Sequence, residues 1–275
     1  KAIFTVEREN PVEQEDSLKW LSIDPNHKNF FMAIDNEGTS FLFEKIALVK
    51  YWDKKIDDLK SKRDKHVRKS VKVIQEKGAN YYKASNEWER INNALLKAQN
   101  TRREQIKQVL FAIANWIAKN YDKVAVGDYV PSTETAIYDN MHRSMLNQEQ
   151  IGLFRRILSW VMKKSGKQFF KVDETNTTKE CCICKYQEKK DPSIREFVCP
   201  ICQSRLCRDI NSAVNIAIKN KFLSGSDYLG WDLSHPEYTV RWNFRNAKVD
   251  PKQATGTKVS VDELNQKKEI FWAIA

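Results

Sequence analysis

The chain has 275 residues, enough for about two domains, and 41% hydrophobic against 30% charged residues marks it as globular rather than disordered. Lysine and arginine outnumber aspartate and glutamate 47 to 36, and the net charge of +11 favours a polyanionic partner, most often nucleic acid. Eight glycines argue against a glycine-rich nucleotide cradle, and no run of about 18 uncharged apolar residues offers a membrane-spanning helix. The chain begins at Lys1 rather than Met, and the expectation is a fragment or a processed chain.

Lys19 to Asp24 (KWLSID) reads as a buried strand. Asn29 to Asp35 and Ser40 to Ile46 flank Asn36-Glu37-Gly38, a turn signal, and so predict a β-hairpin. From about Leu48 to Asn120 the pattern is helical. Ile106, Val109, Leu110, Ile113 and Ile117 fall on one helix face, and the first half carries the basic run KSKRDKHVRKSVK, Lys60 to Lys72. Lys123 to Val130 reads as a short strand, 131–146 as a loop and 147–164 as an amphipathic helix through Ile151, Phe154, Ile157, Leu158 and Val161. Lys167 to Asp173 is another strand. A cysteine-rich insert follows, then a helix from Asp209 to Phe222. Beyond about Lys221 periodicity is lost and the chain reads as a tail. The order is that of a mixed α/β fold, compatible with an RNase H-like sheet among other α/β arrangements.

All six cysteines lie between Cys181 and Cys207, which points to a metal site in a reducing compartment rather than a disulfide framework. Cys181-x-x-Cys184 and Cys199-x-x-Cys202 are separated by 14 residues. Two such knuckles suit one tetrahedral Zn²⁺, and four thiolates make the site structural rather than catalytic. Cys182 and Cys207 fall outside the spacing and read as non-ligands. Lys179, Lys185, Lys189, Lys190, Arg195 and Arg205 let the ribbon touch phosphate, or simply solubilise it.

Asp24 ends the first strand and Asp209 opens the last helix. Carboxylates so placed can converge on hard cations, and two Mg²⁺ ions can activate water and stabilise the leaving oxygen of a phosphodiester. Their ordinary readings are a turn former and a helix N-cap.

Three segments stand in order: SIDPNHKNFFMAID (Ser22 to Asp35), TTKECCIC…CPIC (Thr177 to Cys202) and RDINSAVNIA (Arg208 to Ala217). Together they resemble the RuvC-like nuclease domain of the TnpB proteins, their eukaryotic Fanzor relatives and, more distantly, type V CRISPR effectors, over about residues 15–220. The resemblance implies an RNase H-like (RuvC) α/β mixed sheet with a helical insertion and an inserted zinc ribbon. It implies a guide RNA and a target DNA as partners, and two catalytic Mg²⁺ beside one structural Zn²⁺. It matches Asp24 to the first RuvC carboxylate and Asp209 to the last.

The middle carboxylate departs from the family, because Gly127 stands where a glutamate is expected. Asp128 is adjacent but belongs to the other face of a continuing strand. Glu174, ending the next strand, is the favoured third ligand, since Fanzors and some TnpB proteins resemble this chain in having a glutamate moved there. Glu134, Glu149 or a dead site complete the alternatives. The departure tilts the resemblance toward Fanzor.

The expected organisation is then 1–15 as the end of a wedge-like domain, with the wedge and recognition lobe of the family preceding it. The nuclease domain covers 16–176 and 204–222, the zinc ribbon 177–203 and the tail 223–275. Lys50 to Lys77 is expected to track the guide–target duplex, with a solvated helix face as its plain alternative. Trp231, Trp242 and Trp272 either pin the tail to the body or, with Arg241 and Arg245, stack on bases. The location is nuclear for a Fanzor and otherwise cytoplasmic, not secreted. The rival functions are a guided binder that does not cut, a guide-independent RuvC-type nuclease, and a plain zinc-ribbon transcription factor.

Overall fold

The fold is taken from a computed structural model that describes residues 19–26, 28–66, 71–73, 78, 81–128, 150–191, 194–225, 227–243 and 248–253. The expected wedge remnant 1–15, the loop 131–146, Glu134, Glu149, Arg245 and Trp272 lie outside them.

Strand β1 (Trp20–Pro25) is antiparallel to β2 (Phe31–Asp35), and β2 to β3 (Ser40–Phe43). The hairpin turns at Gly38, whose φ of +81° suits glycine. Asp35 closes it, since its Oδ1 accepts from the amides of Glu37 (3.0 Å) and Thr39 (2.9 Å). On the other side β1 pairs in parallel with β6 (Lys123–Gly127), and β6 in parallel with β7 (Gln168–Val172). Parallel pairs need long crossovers. The first is α1 (Ala47–Lys65) and α2 (Asn86–Asn120); the second is α3 (Ile151–Lys164). Five strands in the order β3-β2-β1-β6-β7, antiparallel then parallel, make the expected RNase H-like mixed sheet.

Helix α2 is capped by Ser85, whose side chain accepts from the Trp88 amide at 3.3 Å, and its predicted stripe of Ile106, Val109, Leu110, Ile113 and Ile117 is buried. The helical reading of 48–120 fails in one place. Helix α1 stops at Lys65, and β4 (Val71–Val73) pairs with β5 (Tyr81–Lys83). Val-x-Val and Tyr-Tyr around Gly78 favour a hairpin over a helix. The basic run Lys60 to Lys72 is therefore not one continuous helix face.

Alternation along the strands splits the core. Leu21 and Ile23 of β1, with Val124 and Val126 of β6, pack against α2 and α3. Trp20, Ser22 and Asp24 turn to the opposite face. There lie β8 (Glu196–Val198), β9 (Arg205–Cys207) and α4 (Arg208–Lys219). Ser22 Oγ donates to the Ala213 carbonyl at 2.6 Å, tying α4 to β1.

The segment read as a tail folds onto this frame. Leu223, Tyr228 and Leu233 are buried on the α4 side, and Trp231 packs 6.4 Å from Trp20. Strand β10 (Tyr238–Asn243) then joins β3 in parallel, and β11 (Lys248–Gln253) completes a seven-stranded sheet. Trp231 and Trp242 both pack against the cores. No helix among the described residues is long and apolar enough to cross a membrane.

Candidate functional site

The cysteine insert is built from two knuckles with the same backbone course. Lys185 N donates to Cys181 O and Gln203 N to Cys199 O, both at 2.9 Å, and both donors are left-handed, with φ of 64° and 59°. Each turn presents its two sulfurs to the other. The Sγ atoms of Cys181, Cys184, Cys199 and Cys202 all lie within 4.8 Å of one another, with Cys181–Cys202 at 3.7 Å and Cys184–Cys199 at 3.5 Å. Sulfurs about 2.3 Å from a tetrahedral zinc stand about 3.8 Å apart, so the four fit that ion. Cys182 and Cys207 stay outside this group. Burial pushes the Cys182 thiol up to about 12 and raises that of Cys207.

On the same face lie the carboxylates. Asp24, near the end of β1, is 4% exposed, and Asp209, in the first turn of α4, is 3%. Burial holds the Asp24 carboxyl well above its ordinary range. The charges of Glu174 and Asp209 push it further up, against the Ser212 hydroxyl bond and Arg208. Asp209 accepts from Arg195 of the ribbon, whose Nη1 is 2.9 Å from both carboxylate oxygens, and from Asn26 Nδ2 at 3.5 Å.

Glu174 sits in the turn after β7. A Cβ built on Gly127 would stand 2.2 Å from Glu174 Oε2, so the Glu174 carboxylate fills the space that a side chain at 127 would need. Ala125 of β6 lies on the α4 face with Val172 and Ile216, and Gly127, two residues on, shares that face. The backbone around Glu174 is gripped from three directions. Asp128 Oδ1 accepts from Glu174 N (3.3 Å), Lys219 Nζ donates to the carbonyls of Asp173 (3.0 Å) and Thr175 (2.6 Å), and Thr177 Oγ1 donates to Glu174 O (2.8 Å). Strand β6 ends at Gly127, and Asp128 acts here as a support for Glu174.

The fit to a divalent cation rests on the donors. Three carboxylates meet on one face, with Asp24 raised by burial and by the charge of the other two, and oxygen donors of that kind suit Mg²⁺. Arg195 offsets part of that charge at Asp209. Among the described residues only the four cysteines bring three or more ligand atoms all within 4.8 Å, so the carboxylates form a wider set.

The three carboxylates named from the sequence lie on one face, and sequence reasoning missed the residues behind them. Ser212 and Thr177 are buried polar residues that touch Asp24 and Glu174, and buried Asn211 and Asn215 hold the carbonyls of Thr177 and Glu180 behind them. Their signal was present, because three of them interrupt the apolar face of the helix RDINSAVNIA.

The family described as "Cas12f1-like, TNB domain" matches residues 152–216, which span most of α3, β7, the ribbon and much of α4. No curated protein matches the chain. Among solved structures, one described as "Cryo-EM structure of the Cas12f1-sgRNA-target DNA complex" is 17% identical with a TM-score of 0.48, covering 78% of this chain and 52% of that one. Another, "Structure of the mini-RNA-guided endonuclease CRISPR-Cas_phi3", is 12% identical with a TM-score of 0.43, covering 79% and 46%. The chain thus spans about half the length of each of these proteins.

Proposed function

We propose that the chain carries the nuclease site of an RNA-guided DNA endonuclease of the TnpB/Fanzor type, in which Asp24, Glu174 and Asp209 hold two Mg²⁺ ions. The observation that carries this reading is the Glu174 carboxylate, lodged in the space left open at Gly127 and close enough to Asp24 to raise its pKa. The Cas12f1-like match over the ribbon and α4, and the net charge of +11, support nucleic-acid partners. A guide RNA and a target DNA are the partners proposed, with base pairing supplying sequence choice.

When bound, such ions activate water and stabilise the leaving oxygen of a phosphodiester. The residues of the chain fix where that can happen. Asp24 is held by a rigid central strand and by the Ser212 hydroxyl at 2.8 Å. Asp209 is set by the start of α4, directly after β9, which pairs with β8 of the ribbon, so the cysteine site and the carboxylate site share one support. Glu174 supplies from a turn the charge that Gly127 does not supply from its strand.

Glu174→Ala should abolish DNA cutting while leaving DNA binding nearly intact, because it removes metal ligation rather than phosphate contacts. Full cutting activity in that variant overturns the assignment. The rival reading, guided binding without cutting, draws on the Arg195–Asp209 pair, which ties up one carboxylate. Divalent-ion binding that Asp24→Ala abolishes decides against the rival.

A further inference from the structure

The carboxylate site depends on a glutamate carried by a turn, and a turn is a looser support than a strand. Something must fix the Glu174 turn relative to Asp24. Ser212, on α4 and fully buried, donates from Oγ to Asp24 Oδ1 at 2.8 Å. The same Oγ lies 3.0 Å from Thr177 Oγ1, and Thr177 is 2% exposed. Thr177 in turn holds the Glu174 carbonyl from its own amide at 3.1 Å, and its Oγ1 lies 2.8 Å from the same oxygen. Each hydroxyl carries one proton: Ser212 gives its own to Asp24, and Thr177 Oγ1 shares its own between Ser212 Oγ and the Glu174 carbonyl, so that with the Thr177 amide on that carbonyl the two hydroxyls link the carboxylate of Asp24 to the backbone of Glu174.

The bridge is itself braced. Asn215 Nδ2 donates to the carbonyls of Thr177 (2.9 Å) and Glu180 (2.8 Å), and Asn211 Nδ2 to Glu180 O (2.8 Å). Asn211 Oδ1 accepts from Cys182 N at 2.8 Å, which fastens the first cysteine knuckle to the same helix. One turn of α4 thus reaches Asp24, the Glu174 turn and the ribbon.

We propose that Ser212 and Thr177 are positioning residues for the carboxylate site, acting as one hydroxyl bridge that sets the separation of Asp24 and Glu174. The proposal rests on the metal reading given above. Groups that orient metal ligands from behind typically change metal affinity by about 10–100-fold when removed. Hydroxyls acting as one unit also give non-additive losses.

The test is direct Mn²⁺ binding to the purified full chain, read by calorimetry and by the electron-spin signal of the free ion. Mn²⁺ takes the oxygen donors that suit Mg²⁺ and competes poorly for thiolates. Ser212→Ala should weaken Mn²⁺ binding by about 10–100-fold, and Thr177→Val comparably. Thr177→Ser, which keeps the hydroxyl, should bind as the unaltered protein does. The double variant Ser212→Ala/Thr177→Val should be no weaker than the weaker single variant. If Ser212→Ala does not fold, the contrast of Thr177→Val with Thr177→Ser carries the test alone. Mn²⁺ binding unchanged in Ser212→Ala, or equal losses in Thr177→Val and Thr177→Ser, overturns the bridge. Asp24→Ala separates the two levels. If it binds Mn²⁺ like the unaltered protein, the metal reading itself falls, and the bridge with it. If it loses binding while Ser212→Ala does not, only the bridge falls.

Discussion

An alanine at position 127 tests the site at its tightest point. Its Cβ would stand 2.2 Å from Glu174 Oε2, where ordinary contact begins near 3.4 Å, so the carboxylate must retreat by about 1 Å. Ile216 Cδ1 and Pro25 Cδ, each 3.2 Å from that Cβ, block two directions for the alanine itself. The atom that must move is the end of a flexible side chain, so the fold should tolerate the change. A displacement of about 1 Å at a reacting centre can cost about 100-fold in rate. Gly127→Ala should therefore melt close to the unaltered protein and cut target DNA about 100-fold more slowly. The assay is single-turnover cleavage in Mg²⁺ beside a thermal melt. Adding Gly127→Ala to Glu174→Ala should change nothing further, because both act on the same carboxylate. Undiminished cutting by a folded Gly127→Ala protein would refute the assignment of Glu174 to the site.

Three further outcomes follow from the fold. Burial raises the Asp35 carboxyl to about 6, so the folded state holds that proton more tightly than the unfolded chain. Its contribution is present below about pH 4 and is lost as pH rises through about 6, a difference of about 3 kcal/mol. Asp35→Asn should flatten that stretch of a denaturation-against-pH curve; an unchanged curve contradicts the assignment. Cys184→Ser should lose bound zinc and speed amide exchange across 181–207 while β1 to β3 stay protected, since four sulfurs drawn from both knuckles meet within 4.8 Å of one another. Gly38→Ala should destabilise by about 2 kcal/mol or more in urea titration. It combines a φ of +81° with a Cβ placed 2.5 Å from the Trp231 ring.

The sheet was legible because its signals are local. KWLSID, NFFMAID and KVAVG are dense in β-formers, and the α2 stripe repeats at helical spacing. The β4–β5 hairpin was hidden inside a charged stretch whose composition suits a helix, and three-residue strands carry little pattern. The last strands were missed for a different reason. Tyr238, Val240 and Trp242 do alternate with polar residues, but the preceding turns hold single anchors such as Tyr228 and Leu233, which have no period. At the site, the cysteine spacing announced itself and Asp24 and Asp209 lay in ordered motifs. The place of Glu174 could be argued from strand adjacency, whereas its lodging over Gly127 is a contact between residues 47 apart that no periodicity encodes. Ser212 and Thr177 look like ordinary polar residues until α4 is laid across β1.

The most direct test of the central claim is cleavage of matching DNA by the protein purified with its bound RNA. The reaction is run in Mg²⁺ and in EDTA, beside Asp24→Ala and Glu174→Ala. The account predicts cutting that needs the metal, needs the RNA and disappears in both variants. RNA-dependent DNA binding with no cutting by the unaltered protein would contradict it and leave a guided binder in place of a nuclease.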